Sequence, residues 1–387
     1  MRIAHVSDYY LPRLGGIELH IHDLAVRQRA AGHQVEVITT APDESPVATA
    51  RQTTGGLLVH RVPAATQVPL PLRLGAVPSG RRVVVDGGYD LVHVHSALVS
   101  PFAVAAAAAS GKAGIPTVVT VHSLWAYLTP LYRALNASTH WSHLPVVWSA
   151  VSEAAAEPIR RTVGPEIGVA VLPNAVDPAR WQVAPAPRDP DEVVIVSVMR
   201  LAPRKRPRQL VRMLRRIRDE LPPSVRLRAV IVGEGPDRPH VERSLRRHGM
   251  SDWVELPGRL RRNQIRDLFA RADVFLAAAN LESFGIAALE ARAAGLPVVA
   301  KAHTGIAEFI AHGREGLLGS TDADLADAAT LLARDDGLRT NIAAHNRAVR
   351  PTLTWEHALS CSEAAYSTAR SGSQPTASTS LATGVAG

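Results

Sequence analysis

Short β-branched runs alternate with helix-length amphipathic segments, and the alternation occurs twice along the chain. In the first series Arg2–Val6 leads through a glycine loop to apolar residues at Ile17, Ile21, Leu24 and Ala25, the spacing of a helix with one buried face. Gly32 closes that helix, and Val35–Thr39, Leu91–His95, Thr117–Val121 and Val146–Val151 read as further strands. Val193–Met199, Leu227–Val232, Ala272–Leu276 and Pro297–Ala300 form a second series. Strands separated by helices pair in parallel, with the helices covering the sheet. Between the series, Ala184–Pro190 is proline-rich and without periodicity, which marks a linker. The expected architecture is α/β: two Rossmann-like, doubly wound parallel-sheet domains, residues 1–183 and 191–350, facing across a cleft. Residues 351–370 read as a C-terminal helix packing back on the first domain, and 371–387, rich in Ser, Thr, Ala and Gly, as a disordered tail.

Several protein classes are excluded by composition. Hydrophobic residues at 46% and charged residues at 20% describe a globular chain, and 4% aromatics leave its core to Ala, Val, Leu and Ile. A single cysteine, Cys361, forbids an intramolecular disulfide framework or a multi-cysteine metal site. The chain opens on a strand instead of a leader sequence, and no run approaches the ~18 apolar residues of a membrane span, so a cytoplasmic location is expected. A formal charge of +8 reads equally as solubility with an arginine-rich composition or as a patch for anionic nucleotides, lipid headgroups or nucleic acid. The arginine runs lack interleaved aromatics, which argues against single-strand binding and leaves nucleic acid unexpected.

The segment from Asn280 to Ala291 carries the chemistry. It follows a strand and opens a helix, whose first amides have no internal partners and, with the positive helix end, suit a diphosphate. Gly285 permits close backbone approach. Glu282 lies in the loop and Glu290 two turns into the expected helix. Carboxylates do not bind phosphate, so both point to sugar hydroxyls.

Glu282-x7-Glu290, followed by Ala294–Ala300 and the Gly305–Glu308 turn, resembles the donor site of family-4 glycosyltransferases, retaining enzymes of the GT-B fold. Leu172–Asp177, Val198–Leu201 with Lys205, Val232–Pro236, Pro12-x-x-Gly15-Gly16-Ile17-Glu18 and Thr120–Leu124 extend the resemblance in order over residues 1 to 350. The N-terminal half is similar to catalytic subunits that add N-acetylglucosamine to phosphatidylinositol. The resemblance implies transfer of a hexose or N-acetylhexosamine from a UDP- or GDP-sugar to a lipid, polysaccharide or small molecule, with retention and without cofactor or metal.

The same resemblance implies roles. Arg200 and Lys205 bind the diphosphate and stabilise the leaving group, Glu290 holds the ribose, and Glu282 faces the transferred sugar. Ser283, Phe284, Gly285 and Ile286 offer backbone amides, with Ser283 standing where the family has glycine. Arg259 and Leu260 meet the base, while Gly233, Asn174, Gly15 and Gly16 line the donor and His122 sits beside the reacting sugar. A lipid-linked acceptor would bring the enzyme to the anionic inner face of the membrane.

Other features have plainer readings. Arg204, Arg206, Arg208, Arg212, Arg215, Arg216 and Arg218 crowd Lys205 and read mostly as the solvated face of one helix. His93 and His95 share a strand face, but spacing supplies no third metal ligand. His20 and His22 read as helix-surface or cleft residues, and Gly233-x-Gly235 lacks the third glycine of a dinucleotide fingerprint. The competing functions are a peripheral membrane or nucleotide-binding protein without transferase activity, and a nucleotide-sugar epimerase, for which no acid/base constellation is evident.

Overall fold

The computed structural model describes residues 1–13, 15–41, 51–62, 77–186, 189 and 191–372. The expected tail falls almost wholly outside these residues, as do parts of the expected linker. The chain divides into two compact units: Met1–Ala175 joined by the helix Trp355–Ser371, and Val176–Thr354. The division precedes the expected limit at 183 because residues after Ala175 are tied to the second unit. Val176 bridges Thr354 and donates its amide to Leu353, and Trp181 packs against Phe269 at 5.8 Å between ring centroids. The last helix begins at Trp355, four residues after the expected 351.

In the first unit the strands are β1 (Arg2–Ser7), β2 (Gln34–Thr39), β3 (Arg51–Thr54), β4 (Leu57–Arg61), β5 (Leu91–Ser96), β6 (Thr117–Val121), β7 (Val147–Ala150) and β8 (Val169–Val171). They form one sheet in the order β3-β4-β2-β1-β5-β6-β7-β8. All pairs are parallel except β3 with β4, a hairpin closed by Gly55 and Gly56, both at positive φ. A two-residue turn with both residues in that region matches the right-handed strand twist. This hairpin and β8 were not among the expected strands.

Burial on both faces makes these strands near-continuous apolar runs, yet β1 and β5 carry three histidines inward. Their parallel register sets His5 beside His93 and Ser7 beside His95. The helix Trp355–Ser371 lies over this face, where Ala365 and Tyr366 join a core with Ile3, Leu91, Val118 and Leu172. The helix Gly16–Ala30 buries Ile21, Leu24, Ala25 and Gln28, close to the apolar spacing read from sequence.

The second unit contains β9 (Glu192–Val198), β10 (Arg226–Val232), β11 (Val254–Gly258), β12 (Val274–Leu276), β13 (Val298–Lys301) and β14 (Gly316–Gly319). They form an all-parallel sheet in the order β11-β10-β9-β12-β13-β14. The helix Pro207–Glu220 buries Leu210, Val211, Leu214 and Ile217 against that sheet, leaving its arginines outward. β11 and β14 were absent from the expected series.

Candidate active site

From β9 the chain builds outward to β10 and β11, then returns to the other side of β9 with β12. At such a reversal the loops after adjacent strands diverge, opening a crevice beyond their carboxyl ends. The loop after β9 carries Arg200 and Lys205, and the loop after β12 carries Glu282 to Gly285. Lys205 Nζ meets Glu282 Oε2 at 2.5 Å, with both side chains partly exposed, at 32% and 17%. The reversal thus brings together an ammonium and a carboxylate from the two halves of the sheet. Arg200 is exposed and has no ion pair among the described residues.

Backbone pairing fixes these loops. Met199 and Leu201 donate their amides to the carbonyls of Val232 and Glu234, zipping the β9 loop to the Gly233 loop. A Cβ on Gly233, at φ +136°, would stand 1.8 Å from the Met199 carbonyl oxygen. Gly233 is therefore required for loop packing. Arg259 and Leu260 follow β11 on the same carboxyl edge of the sheet.

Gly285, at φ +92°, caps the helix Ile286–Ala293. Ser283 lies outside the positive-φ region, so serine can replace glycine there without conformational cost. Phe284 is buried and stacks obliquely on Phe309 at 5.5 Å between centroids. Gly305 donates its amide to the Glu282 carbonyl at 3.0 Å, which docks the Gly305–Glu308 turn on the loop. Glu290 is buried, but the helix starts at Ile286, placing it one turn into the helix rather than two.

A second cation network flanks this loop and was not anticipated. Arg206 makes a bidentate pair with Asp322 at 2.7 Å and donates to Asn280 Oδ1 at 2.6 Å. Lys301, buried at the end of β13, also reaches Asp322, at 2.9 Å. The Arg206 side chain is thus directed into the β12 loop instead of lying on the solvated helix face expected for that run. Arg206, Lys301 and Asp322 are far apart in sequence and belong to no spacing pattern.

In the first unit the sheet reverses between β1 and β5. Gly15 precedes and Gly16 opens the helix after β1, His122 follows β6, and Asn174 follows β8, all on the carboxyl side of the strands. The buried Asn174 Oδ1 has no hydrogen-bond partner among the described residues. Asp8, which the sequence reading passed over, accepts the amides of Phe102 and Ala103 at 3.2 and 3.0 Å and caps the helix Pro101–Lys112. Its burial raises the carboxyl to about 6 despite those amides.

The histidines depart furthest from expectation. His20 is buried, stacked on Trp355 at 5.4 Å between centroids, because the last helix covers the position read as surface or cleft. Burial lowers His5 and His20 to about 4 and holds His93, His95 and His122 well below the usual imidazole range. His5 supplies the third histidine that spacing did not, with nitrogens of His5, His93 and His95 lying within 4.8 Å of one another. All six ring nitrogens nevertheless have hydrogen-bond partners.

Two doubly wound sheets, parallel but for the β3–β4 pair and one of them with paired opposite charges at its reversal, are the architecture of the GT-B fold class. Comparison with known proteins makes the assignment specific. Residues 14–180 match the family described as Glycosyltransferase Family 4, and residues 182–349 match Glycosyl transferases group 1. The phosphatidylinositol N-acetylglucosaminyltransferase gpi3 subunit of Schizosaccharomyces pombe is 30% identical over 85% of this chain and 72% of its own length. A D-inositol 3-phosphate glycosyltransferase of Stackebrandtia nassauensis is 29% identical over 92% of this chain and 89% of its own. Among solved structures, Anabaena HepE in complex with UDP and glucose superposes with a TM-score of 0.74 at 19% identity, covering 95% of this chain and 100% of that one. The protein belongs to the family-4 glycosyltransferases and is an enzyme of that class.

Among the described residues, no helix is long and apolar enough to cross a membrane.

Proposed function

We propose that the protein transfers a sugar, with retention, from a UDP-sugar to an acceptor bearing an inositol phosphate. The Lys205–Glu282 pair at the β9/β12 reversal carries this reading. A donor supplies a partner for each member: its diphosphate for the ammonium, and sugar hydroxyls for the carboxylate. Arg200 adds a second cation where negative charge develops as the glycosidic bond breaks, which favours the transition state over bound donor. Glu290 holds the ribose, while the amides from Ser283 to Ile286 receive phosphate oxygens at the helix start. On this reading no metal takes part, and the leaving phosphate accepts the acceptor's proton on the same face.

UDP is preferred over GDP because the UDP complex is of a protein with the same fold, and both named relatives act on inositol-containing acceptors. Calorimetry against UDP, GDP and NAD, without added metal, tests the donor site. The expected result is micromolar UDP affinity that falls at least tenfold in both Arg200→Ala and Lys205→Ala. Equal affinity in those variants would refute the site. Labelled UDP-N-acetylglucosamine, offered with phosphatidylinositol vesicles or free inositol phosphate, tests the acceptor. Label reaching neither acceptor, from a sample that binds UDP, would reject the acceptor assignment.

A further inference from the structure

Two non-glycine residues among those described have positive φ, and one of them, Arg206 at φ +59°, stands next to Lys205. It joins the 3₁₀ turn Pro203–Lys205 to the helix Pro207–Glu220. A left-handed backbone is unfavourable for any residue with a Cβ, and glycine would make the same turn without that cost. What the position gains must therefore lie in the side chain. Arg206 Nη1 donates to Asn280 Oδ1 at 2.6 Å, while Lys205 Nζ reaches Glu282. Two consecutive residues thus hold one loop, the loop after β12, at Asn280 and at Glu282.

The two holds differ in kind. The Arg206 guanidinium is fixed from behind, because Nη1 and Nη2 each donate to one oxygen of Asp322 at 2.7 Å. Asp322 opens the helix Asp322–Arg334 and also pairs with Lys301, which is 2% exposed and donates to the Ser320 carbonyl at 3.3 Å. A planar fork seated on a carboxylate has one orientation, so the second proton of Nη1 is aimed at Asn280. Lys205 carries a point charge on a flexible stem, is 32% exposed, and shares Glu282 with solvent. One hold is rigid and the other exchangeable. A third tie is the Gly305 amide, bonded to the Glu282 carbonyl at 3.0 Å.

We infer that Arg206 is a positioning residue for the transfer: it keeps the Glu282 loop in place when the donor's diphosphate takes Lys205 from Glu282. The inference rests on the proposed donor site. A diphosphate entering there replaces the ammonium–carboxylate pair by an ammonium–phosphate pair. That releases the Glu282 carboxylate to sugar hydroxyls and, at the same moment, removes one hold on its loop. Arg206 acts through Asn280, so Glu282 stays where the sugar arrives. A loop held by the exchangeable pair without Arg206 would loosen on binding the ligand it has to orient.

The test combines Asn280→Ala with Lys205→Ala and reads exchange of the Gly305 amide on overlapping peptides of the full chain, with and without UDP. Asn280→Ala removes the acceptor on the loop and leaves the Arg206–Asp322 pair in place. Without UDP, each single variant should exchange within about threefold of wild type, because the other hold remains, and the double variant at least about tenfold faster. UDP should leave Gly305 protected in wild type and bring Asn280→Ala to the exchange of the double variant. In UDP release from UDP-N-acetylglucosamine with phosphatidylinositol vesicles, Asn280→Ala should lower kcat roughly tenfold with the donor KM unchanged, about the loss of one hydrogen bond to a charged group. Arg206→Gly, which removes the side chain and relaxes the left-handed backbone, should do the same and keeps the test open if Asn280→Ala does not fold. The exchange arms need neither sugar nor acceptor, so they decide even where wild type releases no UDP. Additive exchange in the double variant, or wild-type kcat in both Asn280→Ala and Arg206→Gly, would overturn the inference. A double variant that opens as expected, beside an Asn280→Ala that UDP leaves unchanged, would reject the donor site and with it the hand-over from Lys205, leaving Arg206 as a hold on the loop alone.

Discussion

Of the six buried histidines in the first unit, five are lowered by their burial, and they make its stability depend on pH in a direction that can be worked out. A histidine whose folded pKa is lowered binds fewer protons than the unfolded chain below about pH 6.5. Its contribution is therefore intact above that value and lost as the pH falls toward the folded pKa. His5 and His20, lowered to about 4 by burial, each withdraw about 1.3 kcal/mol between pH 7.5 and 5.5. His93, His95 and His122 are lowered for the same reason and act in the same direction. Asp8 opposes them: its carboxyl, raised to about 6, takes up a proton in the folded state and returns roughly 0.8 kcal/mol over the same interval. Glu36, which burial would raise, is lowered on balance by its bonds to Arg2, Tyr89 and His60, so its contribution is lost from the usual carboxylate range downward, below this window. The net loss is at least about 2 kcal/mol, enough to lower the melting temperature of a unit this size by roughly 5 °C.

The buried imidazoles all belong to the first unit, so the loss should be local. Hydrogen exchange read by mass spectrometry at pH 7.5 and 5.5, corrected for intrinsic rates, should show faster opening of β1, β5 and β6 at the lower pH. β9, β10 and β12 should change little. His20→Phe removes one titrating group while keeping a ring to stack on Trp355, and should reduce the pH dependence by about 1.3 kcal/mol. Equal protection of β1 and β5 at both pH values would refute the argument, because it would require the imidazoles to be protonated in place without cost.

Two further outcomes follow from the second unit. Gly285→Ala places a Cβ 2.4 Å from Ile306 Cγ1 at a φ of +92° and should cost about 1–3 kcal/mol by urea denaturation, with weakened UDP binding. Ser283→Gly, at a position without positive φ, should be close to neutral in the same assay. Asp322→Asn leaves buried Lys301 without its carboxylate and halves the anchoring of Arg206. Because Asp322 is itself 38% exposed, the expected cost is discounted to about 1–3 kcal/mol, read as a lower urea midpoint for the second unit.

What could be read from sequence was whatever lies in one contiguous stretch. The strand-loop-helix order around Glu282–Ile286 shows in apolar spacing and in a glycine, and so does the amphipathic helix before Gly32. Strands at the ends of the first sheet escaped because they are short: β3 has four residues and meets β4 through Gly55-Gly56, and β8 has three. The buried histidine cluster escaped for a different reason. His93 and His95 show a shared face, but His5, Gln28 and Tyr366 arrive from other elements, with Gln28 and Tyr366 338 residues apart. Only the register of β1 against β5 and the return of the last helix bring them together.

The arginine crowd around Lys205 resolves in a way that composition could not foresee. Arg208 pairs with Asp237, Arg216 with Glu220 and Asp327, Arg206 with Asp322, and Arg215 meets His248. Much of the positive charge in this run is therefore answered within the unit, and a formal excess of +8 is weak support for a broad anionic partner surface. Lys205 differs in kind, because its carboxylate is Glu282, a residue of the proposed donor site itself. Arg204 sits close enough for Glu282 to stabilise its charge, while burial works against it. A diphosphate entering here would meet Arg200 without an ion pair and Lys205 with one it can exchange, whereas Arg206 is committed to holding the β12 loop. If the proposed donor site holds, the same run of basic residues divides into ligand-facing and scaffold cations, and the division follows from what each side chain is bonded to rather than from its place in the sequence.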